Sequence, residues 1–202
     1  MEYVISFVCA VSAFSTHVEM LRSYKSRKVG HPNYDCSIRE AVRATSAAPL
    51  FFEPITLESS KATFVDGGVR ANNPIDQISS EAERLWPDRE IGCLVSIGTG
   101  VTTTKPFDPT KSKLHEVLKS LADIATDADA KARAYRDTKE GRKLQRNKKY
   151  FRYSVPHGMD NMDLAEFEKF PWMESMTIPY TVDMDDNIEE CARNLVHPEL
   201  TC

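Results

Sequence analysis

Apolar side chains recur along this chain in two rhythms, and the switches between them predict an alternating series of strands and helices. Val4 to Ser12 reads V-I-S-F-V-C-A-V-S, a nearly continuous apolar run that predicts a strand of a parallel sheet covered on both faces. It opens the chain with no helix ahead of it to cover a face, which points to a fold entered partway through. Val18 to Tyr24 predicts a second strand or an extended edge, and Gly30 and Pro32 mark Ser26 to Tyr34 as a loop. Ser37, with Glu40 three positions on, forms a capping box that starts a helix, and Ile38, Ala41, Val42 and Thr45 share one helical face. That helix runs into Ala44 to Pro49, where no side chain before the proline is larger than threonine, so its end can approach neighbouring backbone closely before Pro49 stops it.

Leu50 to Leu57 reads as irregular to extended, and Ala62 to Asp66 as a short β-type run that ends on a carboxylate. Gly67 and Gly68 follow, permitting positive φ and close backbone approach. Asn73 suits an N-cap and Pro74 a first helical position, so the turn feeds a helix from Pro74 to Trp86 whose apolar face is Ile75, Ile78, Ala82 and Leu85. Ile91 to Ile97 is the next buried strand. Its Gly98-Thr99-Gly100 end is too short for a dinucleotide loop. Strand, helix and strand in this order predict a right-handed crossover, with Asp66 and the Gly98 loop at the same sheet edge.

Val101 to Lys113 is a polar loop. Leu114 to Gln145 is mainly helical, with Leu114, Val117, Leu118, Leu121, Ile124 and Ala125 at helical spacing and a break at Gly141. Tyr150 to Val155 alternates as a half-buried or edge strand. Leu164 to Met176 is an amphipathic or irregular piece whose aromatics could touch lipid but read rather as packing on the core, and Ile188, Cys191, Ala192, Leu195 and Val196 mark a C-terminal helix from about Asp186.

Composition narrows the class. With 202 residues, 41% hydrophobic and 28% charged, the chain has the makeup of a soluble globular domain. A net charge of -4 argues against nucleic acid as a partner. The charge is uneven, because Lys131 to Arg152 is basic-rich and Asp160 to Glu190 is almost wholly acidic. The basic stretch reads either as a solvated helix face or as a surface attracted to anionic lipid head groups. Cys9, Cys36, Cys93, Cys191 and Cys202 are widely spaced and include no Cys-x-x-Cys pair, so a reducing, cytoplasmic setting is expected, without a structural metal site. Met1 to Phe14 is apolar, yet it has no basic leader, carries Glu2 and alternates like a strand, which favours a buried strand over a signal peptide.

Three motifs carry a resemblance. Ala44-Thr45-Ser46-Ala47-Ala48-Pro49, then Asp66-Gly67-Gly68, then Ser96-Ile97-Gly98-Thr99-Gly100 resemble, in order and spacing, the C-terminal part of a patatin-like phospholipase domain. Weaker similarity extends from about Val4 to Val196. The resemblance implies a partial three-layer α/β/α fold with a mostly parallel central sheet, occupying residues 4–197 as a portion of one domain, with 1–3 and 198–202 as tails. It also implies a serine-aspartate dyad that hydrolyses acyl esters of lipids, with Asp66 as the base. Gly67, Gly68, Asn72 and Asn73 would shape that turn or position substrate.

A dyad carboxylate takes the serine proton directly, so neither histidine, metal nor cofactor is expected. None of His17, His31, His115, His157 and His197 stands in a triad motif. The resemblance places the serine in an upstream Gly-x-Ser-x-Gly elbow, after a glycine-rich oxyanion loop. No two glycines of this sequence flank a serine at that spacing. Ser46, the remaining nucleophile candidate, reads as a small packing or capping residue. The expected function is therefore a fragment of a lipid acyl hydrolase, inactive alone. Its expected partners are an acyl lipid or phospholipid, a membrane surface touched peripherally, and a complementing N-terminal half. The alternative is a non-catalytic module that binds lipid or protein.

Overall fold

The apolar run near the start of the chain becomes β1 (Phe7–Ser12), and its neighbours differ from those expected of a parallel strand. The computed structural model describes residues 4–26, 32–49, 51–101, 128–159 and 166–197, and it divides the chain into two units, Met1–Pro87 and Asp88–Cys202. In the first unit β1 pairs antiparallel with β2 (Val18–Arg22) and, on its other side, with β4 (Thr63–Asp66). The cause is the short connection Ala13–His17, closed by Ser12 N–H donating to the His17 carbonyl at 2.9 Å. A hairpin of that length cannot make the crossover that a parallel neighbour requires. A second hairpin joins β3 (Ile55–Thr56) to β4, giving a sheet ordered β2-β1-β4-β3.

Helices cover both faces of this sheet. Alternate residues Ala10, Leu21 and Phe64 point to one face and form a core with Leu57 and with Ala44 of α1 (Ile38–Thr45). Tyr34 packs edge-on against the Phe64 ring at 5.1 Å. The residues between them face the other way. Cys9 meets the start of α2 (Gly68–Ala71), and Arg22 reaches Glu81 of α3 (Ile75–Leu85). This is a mixed α/β unit of three layers, as expected, around an antiparallel rather than a parallel sheet.

The capping box forms as the sequence requires, with Ser37 Oγ accepting from Glu40 N–H at 3.3 Å and the Glu40 carboxylate accepting from Ser37 N–H at 2.8 Å. Only half of the expected face of α1 turns inward, namely Ala41 and Thr45. Ile38 is 84% exposed and Val42 55%, while the small Ala41 and Ala44 meet the sheet. Pro74, not Asn73, takes the cap position of α3, and one helical turn, α2, intervenes between the glycine pair and that helix.

In the second unit β5 (Leu94–Ile97) pairs in parallel with β6 (Tyr150–Tyr153). The expected crossover from β4 to β5 is thus absent among the described residues, since both edges of β4 are already taken by β1 and β3. The chain between β5 and β6 includes α4, helical over residues 128–137, and α5 (Lys139–Arg146). The break between them falls at Thr138, whose hydroxyl caps α5 by accepting from Gly141 N–H at 3.0 Å. Gly141 lies within α5, where a Cβ would collide with the Tyr135 carbonyl. After β6 come a short 3-10 turn (Phe167–Lys169), α6 (Phe170–Asp183) and α7 (Asp185–Val196). Contrary to expectation, the aromatics of this region do not pack on a core. No residue of α6 is buried, and Phe167, Phe170 and Trp172 are exposed. The tails 1–3 and 198–202, the predicted loop beyond Val101 and the periodic stretch from Leu114 to Ala125 lie outside the described residues.

Candidate active site

The first unit delivers one carboxylate to a defined place. Phe64, fully buried, anchors β4 in the core, and two residues later the strand ends at Asp66, opposite Ala10 of β1. Asp66 N–H donates to the Ala47 carbonyl at 3.0 Å, which ties the strand end to the small-residue run after α1. Thr45 Oγ1 donates to the Cys9 carbonyl at 2.6 Å and fixes the same run against β1. The first two motifs of the sequence are therefore joined by hydrogen bonds.

The glycine pair works by space rather than by unusual dihedrals. Gly67 has φ -60° and helical geometry, and Gly68 begins α2, so the positive φ expected of the pair does not occur. A Cβ at Gly67 would run into the Cys9 carbonyl, so the chain needs glycine there for close approach. Gly68 N–H then donates to Asp66 Oδ1 at 2.6 Å, holding the carboxylate from its own turn. Burial pushes the Asp66 carboxyl above its ordinary value, and the Gly68 N–H opposes that rise in part. Oδ2 receives no hydrogen bond from the described residues. An oriented, partly desolvated carboxylate with one free oxygen is equipped to accept a proton.

Asn72 and Asn73 follow α2 directly. Both polar atoms of the Asn72 amide are buried without a hydrogen-bond partner among the described residues, and Asn73 is buried. Ser46 closes α1, and its hydroxyl donates to the Val42 carbonyl one turn back at 2.7 Å. That bond gives Ser46 a local structural job and fits the capping role expected of it. The third motif lies in the second unit. Ser96 is buried and accepts from the Arg152 guanidinium at 3.0 Å, Gly98 has no room for a side chain beside Arg152 and Ser154, and Gly100 adopts φ +121°. Among the described residues no group of three or more His, Cys, Asp or Glu side chains is placed to hold a metal ion.

Pattern reading missed the strongest electrostatic feature of the unit. Glu81, on the side of α3 that meets the sheet, is buried and receives Arg22 Nε at 2.7 Å and its terminal nitrogen at 3.2 Å, Tyr24 Oη at 3.1 Å and Arg84 at 3.0 Å. Burial acts to raise the Glu81 carboxyl, but the bonds and charge of Arg22 outweigh it and hold the group below its usual range. The partners lie far apart in sequence, and a lone Glu within a helix carries no signal of such a pair.

The first unit is thus a layered α/β arrangement that ends a strand on a partly desolvated carboxylate over a glycine turn. In comparison with known families, residues 11–78 match the family model of the patatin-like phospholipases. Among individual proteins, the chain is 32% identical over 130 residues to calcium-independent phospholipase A2-gamma of Mus musculus, an alignment covering 57% of this chain and 16% of that protein. The corresponding Homo sapiens protein is 38% identical over 89 residues, covering 42% of this chain and 11% of its own length. Phospholipase A I of Arabidopsis thaliana is 44% identical over 66 residues, covering 33% of this chain and 5% of its own length. The chain thus spans a small part of each relative. Among the described residues no helix is long and apolar enough to cross a membrane.

Proposed function

We propose that this chain is the C-terminal portion of a patatin-like lipid acyl hydrolase and contributes the dyad base, Asp66, to ester hydrolysis of phospholipid or another acyl lipid. The observation that carries the reading is the state of Asp66. It is held through Oδ1 by Gly68 N–H, raised by burial, and free at Oδ2, inside the segment that matches the family. In this mechanism Oδ2 accepts the proton of a serine hydroxyl supplied by sequence outside this chain. The serine oxygen attacks the ester carbonyl, Asp66 passes the proton to the departing alcohol, and water clears the acyl-enzyme with Asp66 taking the water's proton and returning it to the serine oxygen. Asn72, whose amide has no partner among the described residues, is the neighbour that would brace the turn or bond to substrate once the site is complete.

The test is a chimera in which this chain replaces the matched segment of the mouse phospholipase. Hydrolysis of a phospholipid by the chimera, lowered on the order of 10⁴- to 10⁶-fold by Asp66→Asn, is the expected result. An active chimera indifferent to Asp66→Asn sinks the assignment. A second reading, a non-catalytic module that binds lipid or a partner chain, is favoured by the lack of any Gly-x-Ser-x-Gly in the sequence. It predicts an inactive chimera that still binds phospholipid vesicles or the complementing half.

A further inference from the structure

The basic stretch resolves into paired and unpaired cations. Lys143 is neutralised by Glu90 at 2.7 Å and Lys148 by Glu190 at 3.0 Å. Lys139, Arg142 and Arg146 of α5 are different. They recur at i, i+3 and i+7 along one exposed stripe, and no described carboxylate pairs with them. Arg142 donates to the Asp137 backbone carbonyl, at 2.9 Å from Nε and 2.6 Å from a terminal nitrogen, and Arg146 Nε donates to the Arg142 carbonyl at 3.3 Å. Those bonds aim the guanidinium groups without cancelling their charge. An open groove of about 570 Å³ runs beside the stripe, its described lining being the same three cations and Gln145.

We propose that this stripe of α5 is a docking surface for the anionic head groups of a phospholipid bilayer. The argument is charge complementarity. Three cations without a described carboxylate partner, two of them aimed by backbone bonds, meet a plane of phosphates better than any single small anion would fill so open a groove. The exposed apolar side of α6 is the poorer candidate for that surface, since Glu168, Glu174 and Asp183 accompany it and would be repelled. The choice of lipid over other polyanions rests on the proposed function, but the docking itself does not require turnover.

The experiment is sedimentation of the full chain with vesicles of phosphatidylcholine alone or mixed with phosphatidylserine. Binding should need the anionic lipid and should weaken as salt shortens the screening length from about 10 Å at 0.1 M towards about 3 Å at 1 M. Each cation near the surface is worth about 5-fold in partitioning, so Lys139→Gln, Arg142→Gln and Arg146→Gln together should lower it on the order of 100-fold. Lys25→Gln, Arg39→Gln and Arg89→Gln remove the same net charge from other exposed positions and should leave most of the binding. Arg142→Lys with Arg146→Lys keeps the charge and should retain it, which guards against mere misfolding of the neutral variant. Equal binding by the stripe and control variants overturns the proposal, as does a stripe variant that loses affinity for duplex DNA or an acidic peptide but keeps it for anionic vesicles. Failure of the hydrolase reading looks different: the chimera is inactive while the stripe still governs vesicle binding.

Discussion

Arg22→Met offers the most direct test of how the first unit is held together. Arg22 and Glu81 side chains are each only 4% exposed, and the substitution removes two of the four donors that surround the Glu81 carboxylate. Tyr24 and Arg84 remain. Breaking a buried pair by deleting one partner costs about 3–5 kcal/mol, mostly because the other charge stays buried and uncompensated. The surviving donors place this case near the lower figure. For a unit the size of Met1–Pro87, each kcal/mol moves the melting temperature by about 4–8 °C, so a fall on the order of 12–24 °C is expected in a thermal melt followed by circular dichroism. Replacing the buried members together, with Arg22→Met, Glu81→Leu and Tyr24→Phe, should recover most of the loss because the one charge left without its partner, Arg84, is partly exposed and can turn to solvent. The pH dependence has a definite sign. Glu81 sits below its ordinary value when folded, so its contribution is present above the unfolded value of about 4.3 and disappears as pH falls through the folded one. The gap between wild type and Arg22→Met should therefore close on acidification. A single variant that melts within about 4 °C of wild type at neutral pH, or a gap that widens in acid, would refute the reasoning.

Other outcomes follow from the same geometry. Gly67→Ala must displace the backbone at Cys9 and should cost about 1–3 kcal/mol in urea unfolding, whereas Gly98→Ala meets the movable side chains of Arg152 and Ser154 and should cost less. Ser37→Ala removes the side-chain acceptor at the start of α1 and should destabilise by about 1 kcal/mol, with Ser37→Thr recovering most of it. Tyr24 is pushed up to about 12 by burial and then by the Glu81 carboxylate; Tyr34, Tyr150 and Tyr153 are raised by burial too, so a near-ultraviolet titration should find several late phenols, and Tyr24→Phe should remove one of them. The stabilising share of Tyr24 is complete below the unfolded value near 10 and is lost as pH rises through about 12. An Asp66→Asn variant keeps the Gly68 N–H bond and sheds a desolvated charge, so its melting temperature should equal or exceed that of wild type at neutral pH.

Local chemistry was legible in the sequence where neighbours in the chain are also neighbours in space. The Ser37 to Glu40 box and the strand ending on Asp66 depend on a few adjacent residues, and both form; the close approach of Gly67 also occurs, but its partner, Cys9, lies far away in sequence. Direction and partnership were not legible. A run such as Val4 to Ser12 is equally apolar in a parallel or an antiparallel sheet, and only the short link to β2 decides between them. Hydrophobicity misjudged α1 for a related reason: small alanines, not Ile38 and Val42, satisfy the narrow space against β1 and β4. For the candidate site, the residue and its turn could be read from Asp66-Gly67-Gly68. The bonds from Thr45 to Cys9 and from Asp66 to Ala47 could not, because nothing in either segment encodes which backbone carbonyl will face it.

The placement of Glu81 also sets an order of events during synthesis. The segment that matches the family ends at residue 78, and by then both β2 and the strand bearing Asp66 have left the ribosome. At that moment Arg22 has no carboxylate to meet, and closing the second helical layer over β2 would trap a bare cation. The layer can seal only after Glu81 has emerged. A nascent chain stalled between the two positions should therefore leave Arg22 and the β2 side of that face open to chaperones and proteases, and release of the next turn of α3 should end that exposure.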